Sequence, residues 1–324
     1  MTQKNLVRYS TWKPSRPLSN GAIAYHNAVV NASWHKENIK ELIKIVGKKI
    51  KNSDIVVDYG AGTGTSSIYL LKYLKTNFKL LLVDNSPSWL TKAYEIFHLN
   101  KNVSFFLLEK KVDGYTALDE TIGKNSVDHV VSANTVHLIP NIKEAFKGIY
   151  AALKNHGTFT FQSGNIIRAP RNRGVLMIDD SVNKIHDIAI EIIRTDKKFN
   201  KYKNSLDKRI EKQIQQRIFI FPTPRPIEYY LKILKSVGFK NEKVTYKQIK
   251  VKYKDWLRFV RIKRLQAGIL PEIGGKDAPR KEEQDRDTII TKASHEFFRK
   301  LKKQNPLATA RSFTAEWIYV SVEK

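Results

Sequence analysis

The chain has 324 residues, 41% of them apolar, which is ample for a sizeable core in one elaborated domain or two. It contains no cysteine, which excludes a disulfide framework, a thiolate metal site and a cysteine nucleophile. The formal charge of +27 divides into +9 over residues 1–164 and +18 over 165–324, most of the latter before about residue 265.

In chain order, Met1–Asn5 opens no apolar leader and no run reaches membrane-spanning length, so a cytoplasmic protein is predicted. Tyr25 and His26 precede a helix that starts near Trp34-His35, and Lys36, Lys40, Lys44 and Lys48 follow at helical spacing. Ile55 to Tyr59 reads as an apolar strand carrying Asp58 near its end and opening into Gly60, Ala61, Gly62, Thr63 and Gly64. A second apolar run, Leu80 to Val83, ends in Asp84, twenty residues after the last glycine. This arrangement describes a nucleotide-like cofactor at the carboxyl ends of adjacent parallel strands. Glycines let the backbone approach the ligand, and the second acid is placed for ribose hydroxyls. A dinucleotide fingerprint wants G-x-G-x-x-G/A, whereas Thr65 stands at that third small position. Asp58, before the first glycine, suits a cation better than a phosphate. Trp89 follows Asp84 closely, as an adenine neighbour or as core.

Further strands are predicted at Val103–Glu109, Val127–Asn134 and Thr158–Gly164, with a helix from Ile142 to Leu153 stopped by Asn155-His156-Gly157. Near-continuous apolar strands separated by helices mean a parallel sheet covered on both faces. Beyond Gly164 come amphipathic helices over Val182–Ile193 and Leu206–Ile218, then an extended Phe221–Pro226 whose three prolines forbid a helix. A helix over Ile227–Val237 closed by Gly238, a strand over Val244–Val251, two helical stretches around Leu270–Gly275 and a last strand over Glu316–Val322 complete the chain.

The Asp58–Gly64 pattern, with Asp84 after it, resembles motif I of the class I S-adenosylmethionine-dependent methyltransferases of the small-molecule type. The resemblance implies an α/β, Rossmann-like fold. Its sheet would be seven-stranded and mostly parallel, with helices on both faces and the last strand antiparallel beside strand five. It implies S-adenosyl-L-methionine as cofactor, bound by Asp58, Gly60, Ala61, Gly62 and Gly64, with Asp84 at the ribose, Asn85 beside it, and Ser132 at the end of strand four. Glu109 stands where the family has an Asp on the adenine amino group. Residues 1–164 would form the N-terminal helical segment and cofactor-binding core, 165–226 a cap insertion, and 227–324 the rest of the core with a helical insertion at about 252–314.

Methyl transfer from a sulfonium is an in-line displacement that needs positioning more than acid–base help. His137, in the loop after strand four, is the candidate base, with a structural loop histidine as the alternative. Tyr25 is the second candidate, against plain packing. Arg168, Arg171 and Arg173 follow strand five and could clamp a carboxylate or phosphate, against solvated loop arginines. No metal ligand set is expected. The implied function is methylation of a small or medium-sized metabolite on O, N or C, with an anionic acceptor in keeping with the charge. A homodimer is compatible. The alternatives are an RNA methyltransferase using the basic second half, a non-catalytic cofactor-binding partner subunit, and a NAD-dependent oxidoreductase, disfavoured by the glycine spacing. Against nucleic acid stand the mixed-sign charge pattern, the loop Ser132-Ala-Asn-Thr135 in place of a base-methylation motif, and the missing cysteine.

Overall fold

A strand covered by helices on both sides must be apolar on both faces. Five segments meet this demand: β1 (Ile55–Tyr59), β2 (Lys79–Asp84), β3 (Val103–Leu107), β4 (Val127–Ala133) and β5 (Leu153–Ser163). With β6 (Lys240–Lys252) and β7 (Ser312–Glu323) they form a seven-stranded sheet of order β6-β7-β5-β4-β1-β2-β3. The computed structural model describes residues 11–15 and 17–324, so the expectation about Met1–Asn5 lies outside the described residues. Strand β7 is antiparallel to both neighbours, and β1 to β5 pair in parallel. The expected sheet is therefore present.

Alternation within each strand feeds two cores. Val56, Leu80 and Leu82 point to one, while Val57, Leu81 and Val83 point to the other. The first is covered by α1 (Asn20–Val29), α2 (Ser33–Val46), α3 (Thr65–Tyr73) and α4 (Pro87–Phe97). The second is covered by α5 (Leu118–Ile122), α6 (Ile142–Ala152) and, later in the chain, a helix over Ile227–Val237. After β5 come α7 (Ile178–Thr195), the short α8 (Asn200–Lys203) and α9 (Leu206–Ile220), then α10 (Ile227–Val237). Between β6 and β7 lie α11 (Tyr253–Val260), α12 (Lys263–Ile269) and α13 (Arg280–Gln304). Helix α7 packs along α13 and α9 against α12, so segments far apart in sequence build one helical layer.

Tyr25 and His26 do precede a helix that starts near Trp34, α2 from Ser33, and themselves lie inside the earlier α1, which Ser19 caps by accepting from the Ala22 amide. Two local expectations are corrected. Asn155-His156-Gly157 does not stop a helix. Helix α6 ends at Ala152 and β5 begins at Leu153, with His156 at a φ of 64° forming a kink where the β4–β5 register shifts. The 252–314 segment carries three helices rather than two. Part of the charge has a structural place: Lys240, Lys243, Lys247, Lys250 and Lys252 all project exposed from β6, the edge strand, where lysines discourage pairing with another sheet. Among the described residues no helix is long and apolar enough to cross a membrane, and no cluster of His, Asp or Glu could hold a metal ion.

Candidate functional site

The glycine loop connects β1 to α3 and is braced by the end of β2. The Gly60 and Ala61 amides donate to the Val83 carbonyl at 2.8 and 3.1 Å. The Gly62 amide donates to Asp84 Oδ2 and the Ser86 amide to Asp84 Oδ1, both at 2.8 Å. Burial pushes the Asp84 carboxyl pKa up, and these amide donors and the charge of Arg264 pull the other way. Asp58 is fully buried, accepts from Ser67 Oγ at 2.6 Å, and is pushed up to about 6 by burial.

The glycines of the loop do different work. Gly60 has a φ of 76°, and a Cβ there would lie 2.2 Å from Thr135 Cγ2, so the loop after β4 rests directly on it. Thr135 Oγ1 also donates to the Gly60 carbonyl at 3.2 Å. Gly64 precedes α3, and a Cβ there would come 2.7 Å from Phe97 of α4. Its role is to let α3 and α4 approach each other. Gly62 faces Trp89, whose ring would stand 3.2 Å from a Cβ at that position.

From Trp89 a wall of rings runs to the end of β4. Tyr25 lies 4.4 Å from Trp89 and 6.5 Å from Phe259 by ring centroids. Phe259 meets Trp34 at 5.6 Å, Trp34 stacks on Trp317 at 5.9 Å, and Trp317 Nε1 donates to Asn134 Oδ1 at 3.1 Å. Arg264 of α12 stands 5.2 Å over the Trp89 ring. Burial pushes Tyr25 up to about 12, which keeps its hydroxyl protonated at neutral pH. His26, beside it, places Nδ1 3.2 Å from the Thr63 carbonyl of the loop.

The other expected site residues stand at or just beyond the ends of β2, β3 and β4. Asn85 is exposed at the end of β2. Glu109 is exposed two residues beyond β3, where its amide donates to Thr116 Oγ1 at 2.9 Å. Ser132 is fully buried and its hydroxyl donates to the Tyr59 carbonyl at 2.8 Å, tying β4 to β1. His137 sits in a single 3-10 turn (Val136–Leu138), with Nδ1 2.9 Å from Ser163 Oγ at the end of β5. Burial, and then the nearby charge of Arg225, pushes it down to about 4, so it is neutral at neutral pH. Tyr25 thus stands at the end of β2, and His137 stands between the ends of β4 and β5.

The arginine clamp expected after β5 is already occupied by the protein's own carboxylates. Arg168 makes a bidentate pair with Glu316 at 3.0 and 2.9 Å, and Arg171 pairs with Asp180 at 3.1 Å. Arg173 is exposed. Trp34, Phe259, Arg264 and Arg225 were not singled out from the sequence. They come from helices and a turn that only the fold brings to one edge.

A family profile described as a methyltransferase domain matches residues 50–223. Carboxy-S-adenosyl-L-methionine synthase of Nautilia profundicola is 29% identical over 148 residues, which are 45% of this chain and 59% of that protein. The chain thus spans less than two thirds of the length of that curated relative. Among solved structures, a Galdieria sulphuraria protein assigned as a sarcosine dimethylglycine methyltransferase superposes with a TM-score of 0.52 at 10% identity, covering 94% of this chain and 98% of that one. Phosphoethanolamine N-methyltransferase 2 of Haemonchus contortus, in complex with phosphomonomethylethanolamine and S-adenosylhomocysteine, gives 0.50 at 18% identity, covering 94% of this chain and 57% of that one. At these identities the likeness is one of fold.

Proposed function

The chain belongs to the methyltransferase domain family, whose members use S-adenosylmethionine, and from that premise we propose that it methylates a small or medium-sized metabolite. The observation that carries the size of the acceptor is the approach of Phe259 and Arg264, both from the 252–314 segment, to Tyr25 and Trp89 beside the glycine loop. In this reading residues 1–164 hold the cofactor core, and 165–226 and 252–314 act together as a cap over its mouth. A mouth walled in this way suits an acceptor that can be enclosed and argues against a folded polynucleotide.

The residues fit the cofactor. Asp84 is held by backbone amides, those of Gly62 and Ser86 on separate oxygens, and keeps lone pairs for ribose hydroxyls, and Gly62 leaves open the space a Cβ would fill. Asp58 is the candidate for the ammonium end, and the faces of Trp89 and Tyr25 suit a cationic sulfonium. S-adenosylmethionine supplies a methyl group already activated by positive charge. The protein's contribution is therefore alignment and exclusion of water. His137, neutral and fixed through Ser163, is assigned to orienting the acceptor and taking its proton.

Asp58 gives a pH signature. Its folded pKa, about 6, lies above the unfolded 3.8, so its contribution to stability is present below 3.8 and is lost as pH rises through 6. Ionised Asp58 then costs the free protein roughly 3 kcal/mol, which a cationic ligand offsets. Affinity for S-adenosylmethionine is expected to rise about tenfold from pH 5 to pH 7, with proton release near pH 6. Calorimetry in buffers of different ionisation enthalpy reads both. A flat profile with no proton release removes Asp58 from the ammonium site.

The acceptor class is tested by incubating the protein with methyl-labelled S-adenosylmethionine and a metabolite extract, with bulk tRNA and duplex DNA in parallel. Label in the low-mass fraction is the expected result. Nucleic-acid binding is expected to be weak and to vanish near physiological salt, with a log–log slope of roughly −0.7 to −0.9 per phosphate neutralised. Tight binding that survives that salt and yields methylated nucleosides would establish an RNA or DNA acceptor instead.

A further inference from the structure

The short parallel pairing of Ile166-Ile167 with Arg225-Pro226 holds Arg225 just beyond the end of β5. Its Nη2 donates to the Ile139 carbonyl at 2.8 Å, at the end of the turn that carries His137. Its guanidinium lies 5.3 Å from the Tyr229 ring. The other arm, Nη1, is buried and has no hydrogen-bond partner. In the first turns of α10, Tyr230 is fully buried with its ring 6.1 Å from Phe161 of β5, and its hydroxyl is also unpartnered. The charge of Arg225 acts on both Tyr230 and His137, so the three groups share one neighbourhood.

A buried donor left unpaired is destabilising, and a partly buried cation without a counter-charge more so. The Nε atoms of Arg171 and Arg286 are also buried without a partner, but the interior arginines other than Arg225 have carboxylates paired with them or nearby. Arg168 is paired with Glu316, Arg217 lies in the field of Glu272 and Asp179, and Arg286 lies in that of Glu283 and Glu282. Among the described residues Arg225 pairs with no carboxylate. The unpaired cation and the spare hydroxyl stand beside the turn that carries His137, the residue assigned above to the acceptor.

Resting on the methyltransferase reading, we propose that Arg225 and Tyr230, beside the His137 turn, form a subsite for an anionic group, carboxylate or phosphate, on the methyl acceptor. Arg225 Nη1 and the Tyr230 hydroxyl are its two donors. Nη2, held by Ile139, keeps the guanidinium plane oriented. This places the clamp that the sequence suggested at Arg168 and Arg171 on a different arginine, one whose valence is open.

The test titrates inorganic phosphate and acetate into the full-length protein at physiological salt, with and without S-adenosylhomocysteine. Three proteins are compared: wild type, Arg225→Gln and Tyr230→Phe. The wild type is expected to bind at least one anion, and the tighter of the two identifies the group. Arg225→Gln should weaken that binding at least tenfold and Tyr230→Phe severalfold, while S-adenosylhomocysteine affinity stays within twofold. Tyr230→Phe removes only an unpaired hydroxyl, so its melting temperature should hold or rise. It keeps the proposal testable if Arg225→Gln folds poorly through loss of the Ile139 bond. A wild type that binds neither anion, or variants that bind as tightly as wild type, would overturn the subsite. Failure of the wild type to bind S-adenosylhomocysteine would instead strike the methyltransferase reading, and the titration without it would still decide the subsite.

Discussion

Gly60→Ala is expected to lower stability by roughly 2–5 kcal/mol and to weaken S-adenosylmethionine binding more than tenfold. Part of the loss, about 1–2 kcal/mol, is the left-handed backbone at a φ of 76°, which an L side chain resists. The rest, about 1–3 kcal/mol, is overpacking. The new methyl would meet Thr135 Cγ2 at 2.2 Å, Oγ1 at 2.5 Å and Cβ at 2.7 Å. Rotating Thr135 moves the first two atoms but not its Cβ, so the loop after β4 must shift, taking Asn134 and the His137 turn with it. Thermal melting and calorimetry on Gly60→Ala, Thr135→Gly and the double variant read the coupling directly. Partial recovery of stability in the double variant is the expected outcome. Strictly additive losses would show that the backbone strain alone accounts for the effect.

How much of this was legible in the sequence depended on whether the determining contact was local. The apolar runs of β1 to β5 announced a buried parallel sheet because covering both faces leaves no polar alternation to hide it. Gly238 announced the end of α10 because a left-handed residue, here at a φ of 113°, favours glycine. Helix α1 was missed because its buried face is small, built on Ala22, Ala28 and Val29, and shows little periodic contrast. Asn155-His156-Gly157 has the composition of a helix stop, yet the β4–β5 register shift uses it as a kink inside a strand. Gly64 and Gly62 look alike in the motif; only the positions of Phe97 and Trp89 separate a packing glycine from one that faces the candidate site. The joining of α7 to α13 and of α9 to α12 has no local signature at all. The same holds for arginine pairing. Nothing near Arg168 shows that Glu316, on β7, will occupy it, and nothing near Arg225 shows that it pairs with no carboxylate.

Asp84→Ala is expected to divide its effects unequally between cofactor affinity and stability. Loss of charge-assisted hydrogen bonds to ribose hydroxyls is worth about 1.5–3 kcal/mol, a fall in affinity of roughly 10- to 150-fold. Stability should change much less, because two opposing terms are removed together. The Gly62 and Ser86 amides lose their 2.8 Å acceptors, which is unfavourable, but a buried carboxylate whose pKa burial pushes up also disappears, which is favourable. Asp84→Asn should bind almost as poorly as the alanine variant. Its carboxamide has one oxygen for two converging amides and must turn an N–H donor towards the Gly62 or the Ser86 N–H. Calorimetry with S-adenosylmethionine, S-adenosylhomocysteine and NADH on wild type and both variants, alongside thermal melting, reads the division. Unchanged S-adenosylmethionine affinity in Asp84→Ala would move the ribose contact to another group. Preferential binding of NADH by the wild type would count against the cofactor assignment itself, since the bracing of Gly62 by Asp84 would then serve a dinucleotide.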